Sequence, residues 1–331
     1  MTQSPSTIPW SVAFAPETYC EYCGVALTDY HGDAQTMMDV QLAGTRIVNE
    51  KFDLSQVPRV YPDFSVYAGA TVLGLELQFQ PDQPPSPLGH PLHTAEEAAR
   101  LKLPADLTAA GLIPRMIQFY DYMKARAPQD VVVGFGTGTQ GPFTTAVLLR
   151  GNGIFLDIYE APDLVHSFLQ TVTASSIRLR ELTHEMNGTT DTSVIGYADD
   201  YGGLLSPEHY QEFVLPYLLQ IADHFGATTC NIHAELVRRE HLPLLQDAGF
   251  SFIDVGADPY LTVKDCAEVL DVDFLMYMYT CRKHLLSNPE QVKAVYRQMV
   301  ADGARRMACD VCPGVPDDNI RAFIEVAREY E

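Results

Sequence analysis

Basic side chains are scarce in this chain. Lys and Arg number 22 against 43 Asp and Glu, for a formal net charge of -21. Nucleic acid and anionic membrane surfaces recruit proteins through basic patches, so neither is expected as a partner. An acidic surface suits solubility, and it also suits docking to a basic face of another protein. No run of about 18 apolar residues occurs, so no membrane-spanning segment is expected. The opening residues Met1-Thr2-Gln3-Ser4-Pro5 lack a charged stretch and an apolar core, so no secretory signal is expected either. Internal repeats and low-complexity tracts are missing, which favours one domain over an array. Disorder is not the default, because hydrophobic residues make up 47% of the chain. The seven cysteines are Cys20, Cys23, Cys230, Cys266, Cys281, Cys309 and Cys312. An odd count without a secretory signal points to the reducing cytoplasm, with thiols serving as ligands or core filler.

Apolar periodicity organises the rest. Residues 1–34 read as irregular, and a helix is expected from Ala34 to Asn49. Val57–Tyr61 reads as a first strand, and Leu75-Glu76-Leu77-Gln78-Phe79 as a half-exposed one. A proline-rich loop spans 81–91, and Thr94 with Glu97 forms a capping box opening a short helix. From Asp130 onward strands alternate with helices, with strands near 131–135, 192–198, 252–255, 274–279 and 306–309. Between the second and third of these lies Thr228-Thr229-Cys230-Asn231-Ile232-His233-Ala234-Glu235, a β-prone run feeding a helix expected over 236–248. These six units, with weaker N-terminal strands, favour a (β/α)8 TIM barrel with an N-terminal extension; a doubly wound sheet is the alternative. Residues 1–331 then form one domain, with 1–125 as extension and first barrel elements and 126–331 as the regular units.

In a barrel the residues just past each strand share one mouth. Here they include Asp199, Asp200, His233, Glu235, Asp254, Asp258, Tyr279, Cys281, Cys309 and Asp310. Catalytic zinc takes three ligands from Cys, His, Asp and Glu and keeps an open position. His233 with Cys309 supplies two, and Glu212, Cys230, Cys281 or Asp199 could supply the third. Asp199 and Asp200 suit general acid-base work or substrate anchoring, or else a cap and turn before Ser206-Pro207. The loop Gly136-Thr137-Gly138-Thr139-Gln140-Gly141 lacks dinucleotide spacing and reads as a tight turn offering backbone donors.

Several segments then resemble the uroporphyrinogen decarboxylase superfamily. They are Gly141-Pro142-Phe143-Thr144-Thr145-Ala146 through Leu149-Arg150-Gly151, Asp199-Asp200-Tyr201-Gly202 through Pro216-Tyr217, and Pro316-Asp317-Asp318-Asn319-Ile320. The resemblance covers about residues 35–331 and implies the barrel. The decarboxylases open with a Met-Arg-Gln-Ala-Gly-Arg loop that clamps propionates, whereas this chain reads Glu17-Thr18-Tyr19-Cys20-Glu21-Tyr22-Cys23. The resemblance therefore points to the other branch, methyltransferases that work with corrinoid proteins. There a His-x-Cys and a late Cys bind zinc; here Cys309 fits the late position, and Asn231-Ile232-His233 replaces the pair. Ether-cleaving members use two Glu and a His; Glu212 and His233 keep the spacing, with 20 residues between them, while Tyr197 stands at the first Glu position.

These readings converge on a cytoplasmic, zinc-dependent methyltransferase. It would move an O-, N- or S-methyl group between a small substrate and a cobalamin on a corrinoid carrier protein, with donor activation as the favoured direction. The metal set is His233, Cys309, Glu212 and Cys230. Asp199, Asp200 and Tyr279 are the candidate catalytic side chains. A homodimer is compatible with the sequence. A metal-free decarboxylase or lyase using Asp199, Asp200 and Tyr279 stays open, as does a barrel kept only for binding.

Overall fold

Strands joined through helices return to the same edge of a sheet and so run parallel. The computed structural model describes residues 7–278 and 285–331. In it eight short parallel strands follow this rule. They are β1 (Trp10–Phe14), β2 (Arg59–Val60), β3 (Val132–Val133), β4 (Val194–Asp199), β5 (Thr229–Ala234), β6 (Phe250–Asp254), β7 (Asp273–Tyr277) and β8 (Met307–Val311). Hydrogen bonds join six of them in the order β1-β8-β7-β6-β5-β4, a parallel sheet curled into half a barrel. The pair β2-β3 stands separately. Two bonds tie the segment after β3 to β4: Gly141 N donates to Ala198 O at 2.7 Å, and Ala198 N to Thr139 O at 2.8 Å. Between β1 and β2 the link is a side chain, with Gln56 Nε2 donating to Val12 O at 2.8 Å.

The sheet is covered on its outer face by helices. Ile195, Tyr197, Ile232, Ala234, Ile253 and Phe274 are buried there; the longest described helix, the 26-residue Pro162–Asn187, reaches the sheet at Gly196, where Arg180 donates to the backbone. Since side chains alternate along a strand, the residues between them face the hollow of the curl. That parity decides which of the described strand-borne candidates reach the hollow. Among the described residues no helix is long and apolar enough to cross a membrane.

The N-terminus departs from expectation. Residues 10–14 form a sheet strand, and Pro16–Cys23 and Leu27–Gly32 are helices, where an irregular segment was expected. The prolines around Trp10–Phe14 hide it, and its partner β8 lies almost 300 residues away. Leu77–Gln78 pairs antiparallel with Ser86–Pro87, off the main sheet. The helix expected over 236–248 is broken into Arg239–His241, a tight turn of 3-10 helix, and Leu242–Asp247. Leu236, at φ 60°, takes a left-handed backbone that a helix cannot use. Thr94 caps its helix as expected, accepting from Glu97 N at 3.2 Å.

Candidate functional site

β5 sits between β4 and β6 in register, with Ala198 opposite His233 and His233 opposite Asp254. Directly opposed residues on neighbouring strands point to the same face. His233 and Asp254 therefore meet inside the curl, where His233 Nδ1 lies 3.0 Å from Asp254 Oδ2. Glu235, two residues on, returns to that face and places Oε1 3.5 Å from His233 Nε2. Asp200, the residue after β4, brings Oδ1 to 3.9 Å from the same nitrogen. Its other oxygen accepts from Gln140 Nε2 at 3.0 Å, and its backbone N–H donates to Thr144 Oγ1 at 2.9 Å. One imidazole thus stands among three carboxylates at the carboxyl edge of the sheet. The His233 side chain is 26% exposed, so the group can be reached from outside.

Burial works against a charge on His233, but the hydrogen bonds and negative charges of Asp254 and Glu235 outweigh it and push the pKa up to about 10. At neutral pH the ring is an imidazolium. Nδ1–H is held by Asp254, and Nε2–H faces Glu235 and Asp200. Burial also raises the Asp200 pKa, helped by Glu235 and opposed by Gln140 and His233. Tyr201 and Tyr67 stand at the rim; burial and the nearby charges of Asp200 and Glu235 raise both phenols. On the far side Tyr277 faces Asp254 and Asp310.

The other expected residues lie elsewhere. Asp199 is 1% exposed and points into the helix layer. There it accepts from Tyr210 Oη at 2.9 Å, Thr144 Oγ1 at 3.1 Å and Gly202 N at 3.2 Å. Burial pushes its pKa up to about 6. Consecutive residues point to opposite faces, so only Asp200 of the pair reaches the hollow. Asp199 instead locks the turn at Gly202, where an added Cβ would lie 2.2 Å from its Oδ2. Cys309 is fully buried on the face of β8 opposite to Asp310, beside Tyr296 of the helix Pro289–Ala301. Cys230 also faces outward, next to Tyr197 and to Asp223 of the helix Leu215–Phe225. Glu212 is exposed on an outer helix, 3.4 Å from His166 Nε2. Tyr279 and Cys281 lie outside the described residues.

His233, Cys309, Glu212 and Cys230 are therefore not brought together. Burial raises the Cys309 pKa well above its ordinary value, which keeps the thiol protonated, whereas zinc binds thiolate. Among the described residues no three His, Cys, Asp or Glu side chains are disposed to hold a metal ion. A thiolate-bearing zinc site does not fit these residues. Asp254 and Glu235 are the site residues whose roles the sequence leaves unassigned. The available signal is an acid at the end of one strand and a histidine at the end of the strand before it.

The chain matches the family described as uroporphyrinogen decarboxylase (URO-D) over residues 2–330. It is 24% identical to a methylated-thiol–coenzyme M methyltransferase of Methanosarcina mazei, an alignment covering 93% of this chain and 80% of that protein. It is 26% identical to a uroporphyrinogen decarboxylase of Myxococcus xanthus, covering 78% and 74%. A uroporphyrinogen decarboxylase of Coxiella burnetii is 23% identical, covering 78% and 73%. The solved structure of a methyltransferase from Methanosarcina mazei superposes with a TM-score of 0.73 at 19% identity, covering 99% of this chain and 95% of that one; the likeness establishes a shared fold.

Proposed function

Because this chain belongs to the uroporphyrinogen decarboxylase family, we propose that it is a methyltransferase that removes a methyl group from a small methylated thiol or ether. We read its eight parallel strands as a closed (β/α)8 barrel with the site at the mouth. The observation that carries the reading is the imidazolium of His233, held at Nδ1 by Asp254 and aimed through Nε2 into an acidic hollow. A porphyrinogen bearing several carboxylates meets like charge from Asp200, Glu235 and Asp254 there, which disfavours decarboxylation of such a substrate. The methyltransferase of Methanosarcina mazei is similar along nearly the whole chain, which supports the same choice.

Breaking a CH3–S or CH3–O bond by attack on the methyl carbon leaves the electron pair on the heteroatom. His233 Nε2–H donates the proton that neutralises it. Proton transfer is most effective when donor and leaving group are matched, and a donor near 10 suits a thiol or phenol. Asp254 keeps the ring oriented during the transfer, and Glu235 or Asp200 takes the Nε2–H direction when no substrate is bound. The acceptor we propose is a corrinoid on a partner protein, which supplies a strongly nucleophilic cobalt. The zinc expected from the sequence enters no step of this reading; among the described residues Cys309 and Cys230, two of the thiols assigned to it, face the helices.

The test is methyl transfer from dimethyl sulfide and from anisole to free cob(I)alamin, followed by the visible spectrum of methylcobalamin. The wild type turns over, and His233→Gln slows it roughly 100- to 10,000-fold. Chelation leaves the rate unchanged. No transfer from either donor, or a His233→Gln variant at full rate, overturns the reading. Loss of rate on chelation, with one zinc released per chain, would replace it with a metal site.

A further inference from the structure

A second hollow lies outside the sheet, under the helix Pro162–Asn187, and encloses about 220 Å³. That is many times the space of one water, and enough for a small organic molecule. Its floor is apolar, formed by Val172, Leu179 and Ile221. Among the polar groups that line it, three are incompletely satisfied.

Ser175, 2% exposed, has no hydrogen-bond partner for its Oγ. Gln140 gives Nε2 to Asp200 but leaves Oε1 buried and unpaired. Arg180 donates to Gly196 O at 2.8 Å and lies 5.9 Å from the ring centre of Tyr197, with no carboxylate in ion-pair distance among the described residues. Arg115, Arg178 and Arg305 likewise bond backbone carbonyls, whereas the half-buried Arg150 pairs with Asp157. Of the arginines that give their guanidinium to backbone carbonyls, Arg180 is the one that lines this hollow. Burial draws its pKa below the ordinary value, as expected for a cation losing water without gaining an anion.

The front wall is the glycine-rich loop that ends in Gln140. A Cβ at Gly138, φ 89°, would stand 2.6 Å from Val66 O, and one at Gly69 would stand 2.7 Å from Thr137 O. The loop at Gly138 and the 3-10 turn Ala68–Leu73 can close the hollow only because these positions are glycine.

We propose that this chamber binds a small hydroxy acid, its carboxylate on Arg180 and Ser175, its hydroxyl donating to Gln140 Oε1, and its short carbon chain against Val172 and Leu179. Each unsatisfied group then gains the partner it lacks: an anion for the guanidinium, an acceptor for the serine hydroxyl, a donor for the amide oxygen. The site is separate from the mouth and does not rest on the methyltransferase reading. Gln140 is common to both, so an occupant also fixes the amide that holds Asp200.

The test is ligand-observed NMR and thermal melting of the full chain with 3-hydroxybutyrate, butyrate and 1,3-butanediol. 3-Hydroxybutyrate binds with a Kd near or below about 1 mM. Butyrate, lacking the hydroxyl, binds several-fold more weakly, and the uncharged diol shows no binding. Arg180→Gln weakens 3-hydroxybutyrate at least roughly tenfold, as loss of a charge-assisted bond requires. Should Arg180→Gln unfold, Ser175→Ala keeps the helix intact and weakens binding about threefold to tenfold. Failure of 3-hydroxybutyrate to bind overturns the proposal. Binding that survives both substitutions, or that His233→Gln abolishes, places the ligand elsewhere and overturns it too.

Discussion

His233 keeps its proton at a pH where an ordinary histidine has lost it. The cause is local: burial disfavours the charge, and Asp254 and Glu235 more than reverse that effect. The shift is also a statement about stability. A group whose pKa rises from 6.5 unfolded to about 10 folded stabilises the fold fully below 6.5 and loses that contribution as the pH climbs through 10. The wild type should therefore exceed His233→Gln in stability at pH 7, and the gap should close between pH 7 and 11. Urea melts of both proteins across that range measure it; a gap independent of pH would remove the imidazolium. Asp254→Asn leaves Nδ1–H its hydrogen-bond acceptor but takes away the charge, so the histidine pKa should fall by at least about one unit, read from its ring-proton NMR titration. His233 is legible from the sequence as a histidine at the end of a β-prone run. Asp254 as its anchor is not, because the register that sets β5 against β6 is decided by packing between distant segments.

Among the elements, the loops at the carboxyl edge carry the site and the strain. Leu236 holds φ 60° just after Glu235, a conformation unfavourable for a bulky residue. Gly256, in the loop after β6, has φ 59° and no room for a side chain; a Cβ there would lie 2.8 Å from Glu235 Oε1 and 3.1 Å from His233 Cε1. Gly249 offers a control, since its φ is 89° and an added Cβ meets nothing within 4 Å. Both Gly→Ala changes carry about 1–2 kcal/mol of left-handed strain, so both melting temperatures should fall, that of Gly256→Ala further because of its added clash. Only Gly256→Ala displaces the carboxylate and imidazole, so only it should lose most of its methyl-transfer rate. Equal rates for the two variants would show that Glu235 and His233 need no fixed geometry. Periodicity makes the six later strands legible. It mistakes the segment after Glu235 for one continuous helix, because apolar spacing carries no record of the left-handed turn at Leu236. It also cannot say which face a strand-end cysteine takes, and Cys309 and Cys230 both take the outer one.

At the scale of the whole molecule the two ends of the chain complete one sheet. β1 lies on β8 through five residue pairs, from Trp10–Met307 to Phe14–Val311. Around that seam Ile8 N donates to Tyr330 O at 2.9 Å, Trp10 Nε1 to Glu331 Oε1 at 2.9 Å, and Thr18 Oγ1 to Val311 O at 2.8 Å. Contacts this remote form only after a very long loop has closed, so they are gained late and are sensitive to loss. Ile8, Val12 and Phe14 are all buried. At about 1.5–3 kcal/mol each, their burial amounts to a large part of a normal folding stability of about 5–15 kcal/mol. Removing residues 1–15 would also expose the β8 edge to pairing with other chains. The truncated protein should therefore show no cooperative melt near the wild-type temperature and should aggregate on heating, as followed by circular dichroism and light scattering. Trp10→Phe, which keeps the ring beside Phe323 and drops only the exposed bond to Glu331, should shift stability by no more than about 1 kcal/mol. A truncated chain that melts within a few degrees of the intact one would mean that β2 to β8 close on themselves without the first strand.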